Sequence, residues 1–131
     1  MAFKDTLRKE ESYYSNMTSA PDVNDFLRLE LEDLVAGICK AFNDPKRLMV
    51  LYALKDNSHT VGELSQILNA PQSNTSQHLA ILRDRGLIES SRQGNNVIYS
   101  LRHPRIVEAI DILRSVMNDE ISRQQSLRSP R

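Results

Sequence analysis

The chain has 131 residues, with 17 Lys and Arg against 17 Asp and Glu, and one cysteine. That length supports one helical core and not two domains; a lone thiol excludes an intrachain disulfide, and no apolar run approaches the ~18–20 residues that span a bilayer. The N-terminus, MAFKDTLRKEESYYSN, lacks the apolar stretch of a secretory leader, so the expectation is a cytoplasmic protein with no membrane partner.

Residues 1–20 are polar and mixed in charge, and are expected to form a flexible arm. Asp22 then suits the N-cap of a first helix, along which Val23, Phe26, Leu27, Leu31, Leu34, Val35, Ile38 and Phe42 keep a 3.6-residue period. The stripe is wider than one small core needs. Asn43-Asp44-Pro45 closes that helix and starts a second, with Asp44 as cap, Pro45 in the first turn, and Leu48, Met49, Leu51, Tyr52 and Leu54 as its apolar residues to Lys55. Residues 56–59 read as a loop. Thr60 and Glu63 form a capping-box pattern for a third helix to about Leu68. Asn69-Ala70-Pro71 is a turn, and a fourth helix covers about 72–85, with Leu79, Ile81 and Leu82 as core candidates and Gly86 ending it. Residues 87–91 and 97–101 are β-rich and flank the polar tip Gln93-Gly94-Asn95-Asn96. A last helix spans about 105–124, with Ile106, Val107, Ile110, Leu113 and Met117 in phase, and residues 125–131 read as a frayed basic tail.

Helix, turn, helix and hairpin in that order predict a mainly α chain: a winged helix-turn-helix with five core helices and a small β-hairpin wing, in one domain over 21–124. The fourth helix opens with an unbroken polar run, Gln72, Ser73, Asn74, Thr75, Ser76, Gln77 and His78. Such an end suits a helix that enters the major groove, because its N-terminal residues reach base edges and phosphates of double-stranded DNA. Ser73 and Ser76 could instead cap and pack, and His78 could serve only a phosphate or a carbonyl. Arg92, Gln93 and Asn95 on the wing would meet phosphates or the minor groove; the alternative is a solvated hairpin tip. Zero net charge does not oppose this reading. Residues 60–105 hold Arg83, Arg85, Arg92, Arg102 and Arg105 against three acids, while residues 1–59 hold eight bases against ten acids. Phosphate affinity follows the local field.

Three segments, AFNDPKRLMVLYAL (41–54), ELSQILNAPQSNTSQHLAILRDRGLI (63–88) and RQGNNVIYSL (92–101), together resemble the ArsR/SmtB family of repressors, over about residues 30–120. The resemblance implies a homodimer built from the first and last helices, with two recognition helices roughly 34–36 Å apart on an inverted-repeat operator. It places Gln72, Ser73, Thr75, Ser76, Gln77 and His78 at the family's DNA-reading positions. The two wide apolar stripes also ask for a partner, unless both pack within one subunit. Pro71 departs from the family pattern, which often has Ser or Thr there; it cannot cap with a side chain, so it is expected at the first helical position.

Release of DNA by metal is not predicted. The third helix, ELSQIL, has no cysteine pair, and the last-helix ligand positions of the family fall on His103, Arg105, Val116 and Asp119, two of which cannot bind zinc. His59, His78 and His103 fall on separate elements. The sequence therefore predicts no metal site and no cofactor. The family's dithiol switches need two cysteines, and Tyr52 stands at the second-helix position. Cys39 is the one candidate redox sensor; the alternative is a small core residue. Glu108 and Asp111 read as a solvated face. No paired catalytic motif or Gly-rich phosphate loop is present, so an enzyme is not expected. The functional expectation is a sequence-specific transcriptional regulator, a repressor released by some signal; the competing expectation is a winged helix used for protein contact or architecture without operator selectivity.

Overall fold

The computed structural model describes residues 22–128. The expected arm at 1–20 and residues 129–131 of the tail lie outside the described residues. Within them the chain forms α1 (Val23–Leu34, continued by a π-helical turn over Val35–Cys39), α2 (Pro45–Ala53), β1 (His59–Thr60), α3 (Val61–Leu68), α4 (Gln72–Asp84), β2 (Ile88–Gln93), β3 (Asn96–Leu101) and α5 (Arg105–Arg128).

Local chemistry sets the helix ends. Asp22 accepts from the Asn24 N–H at 3.4 Å, and Asp44 accepts from the Lys46 N–H at 2.8 Å with Pro45 opening α2. At α3, Thr60 Oγ1 accepts from the Glu63 N–H at 3.2 Å and Glu63 accepts from the Thr60 N–H at 3.3 Å, so two orphan donors are satisfied reciprocally. α4 stops at Gly86, whose φ is +75°, a left-handed conformation that costs a side-chain-bearing residue. There the Leu87 N–H reaches the Leu82 carbonyl and the Gly86 N–H the Arg83 carbonyl, both at 3.0 Å, and the two leucines are buried beneath the turn.

The sheet is antiparallel, in the order β1-β3-β2. Pairing of Gln93 with Asn96 shortens the predicted four-residue tip to a two-residue turn, Gly94-Asn95. Gly94 takes φ +63° while Asn95 stays negative, as a type II′ hairpin requires. β1 was not predicted: His59 pairs with Tyr99 and Thr60 with Ile98. Two polar residues carry no alternation to read, and their pairing depends on the hairpin coming home.

The core gathers Val50 and Leu51 of α2, Leu64 of α3, Leu79 and Leu82 of α4, Ile88 of β2 and Val107 of α5. One predicted core residue, Ile81, and one apolar residue of α2, Met49, are outside it. Ile81 lies a third of a turn off the Leu79–Leu82 stripe and Met49 faces away from Val50 and Leu51; both are exposed. The long stripe of the first helix also divides. The π-helical turn widens the helix and shifts its phase, so that Ile38, Ala41 and Phe42 meet the core while Val23, Leu27, Leu31 and Val35 remain exposed. α5 runs to Arg128, four residues beyond the expected end at Gln124. No Gly or Pro lies between Arg105 and Arg128, so no helix breaker stops it at Gln124. Past Ile110 every described residue of α5 is exposed, including Ile112, Leu113, Val116 and Met117.

Candidate nucleic-acid interface

The start of α4 is built by the turn that precedes it. α3 ends on Asn69 in the left-handed conformation (φ 50°, ψ 51°), and the Ala70 N–H closes back on the Ser65 carbonyl at 3.0 Å. Asparagine tolerates that conformation better than most residues. Pro71 then extends the chain at φ −60°, ψ 148° and occupies the N-cap, one position before the first helical residue where it was expected. Its ring supplies no cap. Instead its carbonyl receives both the N–H (3.0 Å) and the hydroxyl (3.1 Å) of Thr75.

This bond corrects one predicted DNA contact. Thr75 is fully buried (0% exposed), below Leu79 and Leu82 at i+4 and i+7. Its hydroxyl serves the helix start and does not reach the surface. His78 is only partly exposed. Its side chain is 14% exposed and turned toward α2, with Nδ1 3.4 Å from Arg47 Nη1 and Nε2 3.9 Å from an Asp44 oxygen. Arg47 Nε in turn donates to the Ala41 carbonyl at 2.7 Å. His78 thus ties α4 to the N-terminal end of α2.

The other predicted residues are exposed: Gln72, Ser73, Asn74, Ser76 and Gln77 on α4, and Arg92, Gln93 and Asn95 on the hairpin. At 100° per residue, Ser73, Gln77, Ala80 and Asp84 share the face opposite Thr75, Leu79 and Leu82. The first two turns therefore present short amide and hydroxyl groups on a rigid helix, the donor and acceptor set that base edges can meet. Gln72 leans back over α3: a Cβ on Gly62 would stand 3.5 Å from its Nε2.

Beside Arg92, two further arginines that were not predicted as contacts stand at this surface. A cleft of about 550 Å³ separates α4 from the wing, and Ala80, Arg83, Asp84, Ser90, Tyr99 and Arg102 are among its walls. Arg83 Nη1 donates to Ser90 Oγ at 3.2 Å, joining helix to strand. Arg83 lies seven residues after Ser76, two helical turns along, and that spacing was a usable signal. Arg102 follows β3, and only the fold brings it beside α4.

Cys39 is exposed at the end of the π-helical turn, so it is not a core residue of the chain. Among the described residues no group of three or more His, Cys, Asp or Glu side chains converges to hold a metal ion. His59 instead pairs with Glu63 at 3.0 Å, and that contact, with the Thr60 bonds, holds the Glu63 carboxyl below its usual range. No helix among the described residues is long and apolar enough to cross a membrane.

Residues 44–90 match the family described as "Bacterial regulatory protein, arsR family". The HTH-type transcriptional regulator YgaV of Escherichia coli (strain K12) is 40% identical over 82 residues, which cover 62% of this chain and 83% of that protein. Among solved structures, the crystal structure of Mycobacterium tuberculosis Rv0081 matches with a TM-score of 0.65 at 34% identity, over 72% of this chain and 95% of that chain. The homodimeric winged helix-turn-helix DNA-binding domain of Mb0332 from Mycobacterium bovis gives a TM-score of 0.66 at 21% identity, over 82% and 95% of the two chains, a likeness of fold.

Proposed function

We propose a function from the premise that this chain belongs to the arsR family of bacterial regulatory proteins, whose members are DNA-binding transcriptional regulators and not enzymes. It is a cytoplasmic homodimeric repressor that binds an inverted-repeat operator through α4 and the wing, and a signal releases it. The observation that carries this reading is the exposed amide and hydroxyl face of α4. Ser73, Asn74, Ser76 and Gln77 read base edges. Arg92, Gln93 and Asn95 contact the backbone or minor groove from the hairpin, and Arg83 and Arg102 add phosphate contacts at the cleft. Thr75 and His78 hold the helix in place.

The dimer rests on the two exposed apolar faces, Val23, Leu27, Leu31 and Val35 on α1 and Ile112, Leu113, Val116 and Met117 on α5. Apolar surface on this scale on a small chain marks an interface. The Mycobacterium bovis domain of the same fold is homodimeric. Two copies joined there would set two α4 helices about one DNA turn apart.

The test is fluorescence anisotropy of the purified protein with DNA from upstream of its own gene, against scrambled DNA, with and without zinc and a thiol oxidant. Selective binding establishes the regulator. Weakening by oxidant assigns release to Cys39, and weakening by zinc assigns it to a metal. Absence of selectivity at moderate salt favours the protein-contact or architectural function.

A further inference from the structure

α5 leaves the core early. Its last buried residue is Ile110, and the 18 residues that follow to Arg128 are all exposed. At 1.5 Å per residue that is a lever of about 27 Å. One polar cluster grips it directly after Ile110. The Tyr52 hydroxyl on α2 donates to Asp111 Oδ1 at 2.5 Å, and Arg114 Nη1 donates to the Tyr52 oxygen and to Asp111 Oδ1, both at 3.3 Å. The Arg114 guanidinium carbon also lies 5.3 Å from the centroid of the Tyr52 ring, within cation–π range.

Two groups of α5 thus close on one phenol oxygen of α2. Desolvation and the Asp111 carboxylate push the Tyr52 phenol up from its ordinary value, so it stays a donor. The Tyr52 bond and Arg114 hold the Asp111 carboxyl below its usual range, so it stays an acceptor. The other end of α2 carries Asp44 and Arg47, which hold His78 of α4. α2 is therefore a bar fixed at one end to the recognition helix and at the other to α5.

We infer that Tyr52, Asp111 and Arg114 are positioning residues that set the angle of α5 against the DNA-reading core, and through it the half-site spacing the dimer accepts. The inference rests on the proposed dimer through α1 and α5. Its magnitude follows from the lever: a tilt of about 10° moves the far end of α5 by about 5 Å, more than the roughly 3.4 Å that one base pair adds between half-sites. Surface ion pairs add little to stability, so the cluster's effect is on geometry and not on folding.

The experiment measures operator affinity of the full chain against a series of inverted repeats whose spacers differ by one base pair, with dimer mass and melting temperature in parallel. Tyr52→Phe keeps the ring and removes all bonds at the phenol oxygen; Arg114→Met, on an exposed helix face, is the second variant. The wild type should prefer one spacing by about tenfold over its neighbours. Both variants should remain dimeric, keep single-half-site affinity, and flatten that preference to about threefold or less. Variants that retain the wild-type profile, or that lose affinity equally at every spacing, overturn the inference alone. A wild type that is monomeric or indifferent to spacing overturns the proposed dimer and the inference with it.

Discussion

Replacing Thr75 by valine separates helix architecture from DNA reading inside one polar run. The hydroxyl makes one neutral hydrogen bond, to the Pro71 carbonyl at 3.1 Å, and losing it costs about 0.5–1.5 kcal/mol. The carbonyl is not orphaned, because the Thr75 N–H still reaches it at 3.0 Å. The methyl that replaces the hydroxyl enters a site with no solvent exposure and returns up to about 0.8 kcal/mol. Valine and threonine have similar helix propensities, so that contribution cancels. The net change is within about 1 kcal/mol, a shift in melting temperature of less than about 6 °C for a chain of this size. Because no exposed atom changes, operator affinity by anisotropy should stay within about threefold. Loss of an amide that reads a base would cost about 1–3 kcal/mol, up to about 150-fold. A Thr75→Val protein that melts like the wild type but binds operator more than about tenfold more weakly would refute the assignment of Thr75 to the helix start.

Gly86→Ala places a Cβ at φ +75° and should destabilise the chain by about 1–2 kcal/mol in denaturant titration; an unchanged midpoint would contradict the Schellman stop of α4. Glu63 has a folded pKa lowered by His59 and Thr60, so its carboxylate adds stability that is full above its ordinary value of 4.5 and is lost as pH falls through the lower folded value. Glutamine can keep the capping box, so the melting-temperature gap between wild type and Glu63→Gln should be widest near neutral pH and close in acid; a gap independent of pH would contradict it. Operator affinity should fall only moderately with salt if, as proposed, Arg83, Arg92 and Arg102 supply the main cationic contacts of each subunit. A much steeper slope would bring the arginines of the C-terminal tail into contact.

Most of the architecture was legible because it is written in local chemistry. Asp22, Asp44, the Thr60–Glu63 box and Gly86 each act within four residues of themselves, and all sit at the helix ends they predict. The candidate site was legible in composition and less so in direction. A run of seven polar residues hides its own periodicity, yet Thr75, Leu79 and Leu82 at i, i+4 and i+7 share one stripe, and counting from the leucines backward would have placed Thr75 inside. His78 offered no such signal, since its partner Arg47 lies 31 residues away and only the packing of α2 on α4 joins them. The same holds for β1, whose two residues become a strand only against Ile98 and Tyr99. The division of the first apolar stripe depends on the π-helical turn at Val35–Cys39, which breaks a period that the sequence carries without interruption.

The most direct test of the central claim is the double change Ser73→Ala with Gln77→Ala, measured for operator affinity by anisotropy and for mass by light scattering. Both residues are exposed on the face of α4 opposite the core, so the fold does not depend on them. The expected result is a folded dimer that no longer distinguishes operator from scrambled DNA. A double variant that binds operator as tightly and as selectively as the wild type would contradict the claim that α4 reads the sequence.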